Sequence, residues 1–234
     1  MTVEIIRTKL QKLANKEKAK ILQRFFKTGP GEYGEGDIFL GVNVPMLRKL
    51  AKEHDAIPLN ETIQLLKSPI HEERLLALLL LVRVFSKGDE ALQKKIYDLY
   101  LKHNRNINNW DLVDLTAPNI VGTYLLDKSR KPLYALAKSN DLWKRRIAIL
   151  ATLSFIRQND FDDTLKISNT LLTDEHDLIH KAVGWMLREV GKRSLVSEER
   201  FLQQHYRKMP RTALRYAIER FPEAKRKKYL NGAI

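Results

Sequence analysis

The chain has 234 residues with 42 Lys or Arg against 28 Asp or Glu, a formal charge of +14, and no cysteine. That length supports a substantial core, and 44% hydrophobic with 30% charged residues excludes a disordered chain. The missing thiols exclude a disulfide framework, a cysteine nucleophile and Cys-ligated zinc, and suit a reducing cytoplasm.

In chain order, Met1 to Arg7 lacks a basic segment followed by a long apolar run, so no secretory signal is expected. Ile5, Ile6, Leu10 and Leu13 form a first helical stripe. A second follows Pro45 with Leu47, Leu50 and Ala51, the proline standing near a first helical turn. Helical spacing then predicts elements near 60–67, 71–86, 89–103, 109–121, 130–138, 141–157, 161–172, 177–191, 195–206, 210–220 and 223–230. The run Leu75 to Val82 is too short to span a bilayer and reads as the buried face of a core helix. Breakers such as Ser68-Pro69, Lys87-Gly88-Asp89, Gly191-Lys192 and Phe221-Pro222 keep the connections short.

With no long linker, a single all-α domain over 1–234 is expected, as a curved solenoid of HEAT-like antiparallel helical repeats. A compact helical bundle is the rival. Trp110, Arg146 and Trp185 recur at intervals of 36 (146 − 110) and 39 (185 − 146) residues. Repeats of that class run about 40–47 residues.

Charge is concentrated at the end of the chain. Residues 179–234 carry 14 Lys or Arg against 5 Glu, a net +9. Such asymmetry points to a polyanion, nucleic acid before an anionic membrane surface.

Several motifs carry weak chemistry. Gly29-Pro30-Gly31-Glu32-Tyr33-Gly34 matches G-x-G-x-x-G in letters only: a helical pattern precedes it, and Glu32, Glu35 and Asp37 would repel phosphate. It reads as a structured turn. His176 and His180 have the i,i+4 spacing of a metal pair but no intervening Glu motif and no further ligand, so they read as capping or solvent-facing residues and no metal is expected. Six scattered histidines establish no catalytic triad.

Three aromatic groups carry more. Trp110 and Asp114 stand one helical turn apart, about 40° from eclipsed. They fit either a reactive carboxylate beside an indole wall or a capped core helix with an acidic first turn. Trp143 precedes Arg145 and Arg146, and Arg146, one turn from Trp143, could stack on the indole or reach phosphate. Lys181, Trp185 and Arg188 form a basic-aromatic-basic stripe suited to sugar or base contact flanked by phosphate contacts. A core tryptophan with solvated charges explains the Trp143 segment equally well and is the default for the Trp185 stripe taken alone; recurrence at repeat-like spacing weakens that default.

In this order, Trp110-Asp111-Leu112-Val113-Asp114, Leu142 to Leu150, and His180 to Glu189 resemble the AlkD-like DNA alkylation repair proteins, DNA glycosylases built from HEAT-like repeats. Phe39-Leu40-Gly41-Val42 with Pro45 and Arg48 extends the resemblance, which spans nearly the whole chain. It implies excision of cationic N3- or N7-alkylated purines from duplex DNA without a metal or cofactor, by a monomer at the nucleoid. It further implies that Asp114 is the catalytic carboxylate, that Trp110 and Trp185 face the damaged nucleotide's sugar, and that Arg146 contacts DNA. Arg24 and Phe25, in the helical segment Lys16 to Lys27, stand where the family has a basic residue and an aromatic. Arg145, Lys181, Arg188 and Arg48 complete the expected DNA-facing set. Two departures stand out: Asn109 replaces an aromatic that relatives can carry, and the loop Thr28 to Asp37 is longer and richer in Gly and acid. The alternative function is a catalytically inactive helical scaffold binding DNA, RNA or protein.

Overall fold

The computed structural model describes residues 2–234. Among these residues the chain is all helical, with no strand beyond one isolated bridge between Ile38 and Ile70. It divides into two compact units, one ending at Thr116 and the other running Ala117–Ile234.

The first unit opens with α1 (Val3–Lys12) and α2 (Lys16–Phe25), followed by a non-helical segment, α3 (Val44–Glu53) and α4 (Leu59–Leu66). It continues through α5 (His71–Lys87) and α6 (Glu90–Lys102) into α7 (Trp110–Ala117), which crosses the boundary by one residue. Helix α5 is the centre, packing on α3, α4 and α6. Of the expected core run Leu75 to Val82, Leu75 to Leu81 are buried and Val82 is half-buried, and His71, Glu72, Glu73 and Arg74 in the first turn are buried as well. Four buried ionisable residues in one turn require partners, because an unpaired buried charge costs several kcal/mol (about 3–5 when a pair is broken).

Helix α2 differs. It begins at Asn15, whose side chain accepts the Lys18 N–H at 2.9 Å, and none of its residues is buried. Ile21 and Phe25 are 65% and 61% exposed. The chain returns against its start: Asn15 N–H donates to Leu40 O at 2.8 Å. Gly41 is fixed there, with φ of +84° and only 2.2 Å between an added Cβ and the Asn15 carbonyl.

The second unit follows a π-helical turn over Pro118–Gly122 with α8 (Lys131–Ala137), α9 (Leu142–Ala151), α10 (Leu153–Arg157) and α11 (Asp162–Thr170). It ends with α12 (Asp177–Gly191), α13 (Leu195–His205), α14 (Arg211–Ala217) and α15 (Glu223–Leu230). Helix α12 is its centre, against α9, α11, α13 and α14. Gly184 makes the α12–α14 approach possible, since a Cβ there would lie 2.3 Å from the Ala213 carbonyl.

Two expected elements are shorter or divided. The helix expected over 141–157 breaks at buried Thr152, whose Oγ1 donates to Ile149 O at 2.7 Å and occupies an acceptor of the helical ladder. The helix expected over 109–121 stops at Ala117, where Pro118 has no N–H to continue the ladder and the π turn begins. The paired helices of each unit are those of an α-helical repeat fold. No helix among the described residues is long and apolar enough to cross a membrane.

Candidate functional site

The first turn of α7 is held from below by a buried polar network. Asn109 is fully buried; its Oδ1 accepts the Trp110 N–H at 2.8 Å and its amide donates to Asp37 at 3.4 Å. Asp111 is 7% exposed; Oδ1 accepts the Leu112 N–H at 2.9 Å and Oδ2 meets His71 Nε2 at 2.8 Å. His71 Nδ1 meets Asp37 Oδ2 at 3.1 Å, and Arg74 donates to Asp37 Oδ1 at 2.6 Å and to Ser68 O at 3.1 Å. Asn108 adds a contact to Asp37 at 3.5 Å.

Neighbouring Glu72 serves the backbone instead. Its carboxylate accepts the N–H groups of Leu40, Gly41 and Val42 at 2.9, 2.8 and 3.2 Å.

The charges set the protonation states. Burial opposes a charge on His71, but hydrogen bonds to Asp111 and Asp37, with the Asp111 charge, outweigh it and raise its pKa to about 9. Burial likewise opposes ionised Asp37, yet bonds and charges from His71 and Arg74 hold its pKa below the ordinary 3.8. His71 and Arg74 thus lie against the side chains of Asp37 and Asp111.

Above this network lie stacked rings. Phe39 stacks on His71 at 4.4 Å, Phe26 on Phe39 at 5.1 Å, and Trp110 on Phe26 at 5.1 Å and 20°. Phe25 meets Trp110 edge-on at 5.9 Å. Trp110 and Asp114 are both half-buried, so neither is sealed in the core. Asp114 lies close enough to buried Tyr100 for its charge, after burial, to push that phenol's pKa up; the Tyr100 hydroxyl meets Thr116 at 2.9 Å. A cavity of about 340 Å³ adjoins the ring stack, lined by Ile21, Leu22, Phe25, Phe39, His71 and Asp111 among others. Arg24 and Arg48 are exposed on α2 and α3.

In the second unit, the expected residues lie on the adjoining helices α9 and α12. Arg146 is buried at 4% exposure and donates to the Leu178 carbonyl. Arg145 binds Asp174 at 2.6 Å and Ser139 O at 3.0 Å, while Trp143 is half-buried. Trp185, also half-buried, donates its indole N–H to Glu189 at 3.0 Å. Lys181 pairs with Asp177 at 2.7 Å and Arg188 with Glu219.

The glycine-rich loop is a structured turn. Glu32 accepts the Gly29 N–H at 2.9 Å and Glu35 the Gly31 N–H at 3.0 Å, so carboxylates occupy donors that a phosphate would need. His176 caps α12 by accepting the Leu178 N–H at 3.1 Å, and His180 bonds the Asp174 carbonyl.

The profile of the family described as DNA alkylation repair enzyme matches residues 6–221. The chain belongs to this DNA alkylation repair enzyme family. A solved structure described as a predicted DNA alkylation repair enzyme from Enterococcus faecalis superposes with a TM-score of 0.68. The two share 18% identity over 90% of this chain and 97% of that one, a likeness of fold. No curated protein matches the sequence. Membership of this family makes DNA the expected partner.

The sequence singles out Trp110, Asp114, Phe25 and Arg24, but not the network that joins Asp37, His71 and Arg74 to Asp111. Residue 71 is 34 residues from Asp37 and 40 from Asp111, separations that no local motif records. The one signal available was the dense ionisable run His71-Glu72-Glu73-Arg74 directly before a strongly apolar helix.

Proposed function

We propose that this repair-family protein is a DNA glycosylase that hydrolyses the N-glycosidic bond of cationic N3- or N7-alkylated purines in duplex DNA. The observation that carries the reading is the pairing of half-buried Trp110 and Asp114 on one turn of α7, with the indole fixed on Phe26 and the helix start fixed by buried side chains.

Alkylation at N3 or N7 makes the purine cationic and therefore a good leaving group. As the C1′–N9 bond breaks, its electron pair moves to the purine and neutralises it, and positive charge develops on the sugar. Asp114 stabilises that charge and orients water; the water oxygen bonds to C1′ and its proton passes to the carboxylate or solvent. Free alkylpurine and an abasic site are the products. One carboxylate suffices where ordinary glycoside hydrolysis uses two, because the leaving group needs no general acid. No metal or cofactor enters the step. The indole face of Trp110 favours the cationic sugar and excludes bulk water.

By family resemblance Trp185 takes a second sugar-facing role, and Arg24, Arg48, Arg145, Lys181 and Arg188 take phosphates. Arg145, Lys181 and Arg188 would exchange carboxylate partners for phosphate, a trade that makes binding salt-sensitive. Arg146 would reach DNA only by leaving the Leu178 carbonyl. In this reading the chain acts as one HEAT-like repeat domain and as a monomer at the nucleoid. Release of free alkylpurine from methylated duplex DNA by the purified protein tests the reading. Salt-sensitive binding without release would instead mark a scaffold.

A further inference from the structure

We infer that His71 is a positioning residue, a buried clasp whose two ring nitrogens tie the 36–42 segment to the first turn of α7 and thereby hold Trp110 in place.

The geometry is specific. His71 is 1% exposed, and each ring nitrogen faces a carboxylate on a different segment: Asp37 at 3.1 Å and Asp111 at 2.8 Å. A neutral imidazole carries one N–H, so only the doubly protonated ring donates to both. Asp111 is the residue next to Trp110, so the clasp bears on the tryptophan through its backbone. The ring stack Trp110–Phe26–Phe39–His71 bears on it through the indole. Phe39 lies face-on to the charged imidazole at 4.4 Å, where a cation is favoured.

The groups facing His71 are Asp37 from the loop, Arg74 and Glu72 from α5, and Asp111 from α7. Glu72 is committed to three backbone N–H groups, and Glu73, one residue further along the helix, is bound by Arg7 at 3.1 Å. His71 and Arg74 thus balance Asp37 and Asp111. Loss of the imidazole proton leaves two buried carboxylates with Arg74 alone and removes one donor from the clasp. With a pKa near 9, that loss falls above neutral pH. The sign follows from the raised value: the contribution is complete below the ordinary 6.5 and disappears as pH rises through about 9.

The consequence for excision rests on the glycosylase reading; the consequence for Trp110 does not. The full chain carrying 5-fluorotryptophan gives one fluorine resonance for each of its three tryptophans, and Trp110→Phe assigns the one of interest. Between about pH 7 and about pH 10 this resonance is expected to move with the His71 imidazole signals, at one shared midpoint. Asp111→Asn should move the midpoint to lower pH, and His71→Gln should leave the resonance flat. Excision on methylated duplex should fall in parallel, on the order of tenfold to a hundredfold for a displaced site. A Trp110 resonance that ignores His71 titration, or a His71 that is already neutral at pH 7, overturns the inference. The wild-type titration alone decides this if His71→Gln does not fold. A shared midpoint in a protein that releases no base would sustain the clasp and sink the glycosylase reading.

Discussion

Two helices of this chain begin with a tryptophan close to an aspartate, yet fix them differently. At α9, Asp141 accepts the N–H groups of Trp143 and Lys144 at 2.8 and 3.1 Å, an ordinary cap at a partly exposed helix end. At α7, capping falls to buried Asn109, and Asp111 turns inward to the His71 imidazole. The first arrangement only starts a helix. The second spends a buried ion network on the orientation of one turn, which is what the chemistry proposed for Trp110 and Asp114 requires.

Breaking the network should therefore cost much more than breaking the cap. Asp37→Ala leaves Arg74 buried without a carboxylate and His71 with Asp111 alone, and the expected loss of stability is about 3–5 kcal/mol by denaturant unfolding. A loss below that of an ordinary cap would show that the network is not what holds α7.

A buried acid in the second unit sharpens the contrast because it lacks such a network. Glu198 on α13 is 2% exposed, and its Oε1 has no hydrogen-bond partner among the described residues. Burial, reinforced by Glu199 against a weaker pull from Arg188, raises its pKa to about 8. A raised acid destabilises once ionised, so stability should decline as pH rises from 4.5 through about 8. Glu198→Gln should abolish that decline and raise stability at alkaline pH by roughly 1–3 kcal/mol, read as a higher Tm. An unchanged pH profile would contradict the assignment.

The smallest effect belongs to the cap itself: Asp141→Ala should cost ~1 kcal/mol and leave Trp110 undisturbed.

These contrasts also show what sequence could and could not reveal. Helix positions were legible because apolar spacing and caps are local; α12 matches its expected span of 177–191. The break at Thr152 was not, since it depends on where one hydroxyl turns. Trp110 and Asp114 were legible as a one-turn pair. Asp37 reads locally as an acid that would repel phosphate; the structure adds that it is the buried hub to which His71, Arg74, Asn108 and Asn109 converge. Asn109, seen as a departure from an aromatic pattern, is the residue that caps α7 and reaches Asp37. Nothing in the local spacing of either residue announces a partner more than thirty positions away. Arg146 was legible as a basic residue at repeat-like spacing, but its burial against Leu178 depends on how α9 meets α12.

The central claim is that Asp114 performs chemistry on a cationic alkylpurine nucleotide. The most direct measurement is single-turnover release of N7-methylguanine from duplex DNA by wild type and Asp114→Asn, with DNA affinity measured alongside. The account predicts release by wild type and a loss of about 10²–10³-fold in the variant at similar affinity. Equal release by both proteins would contradict it.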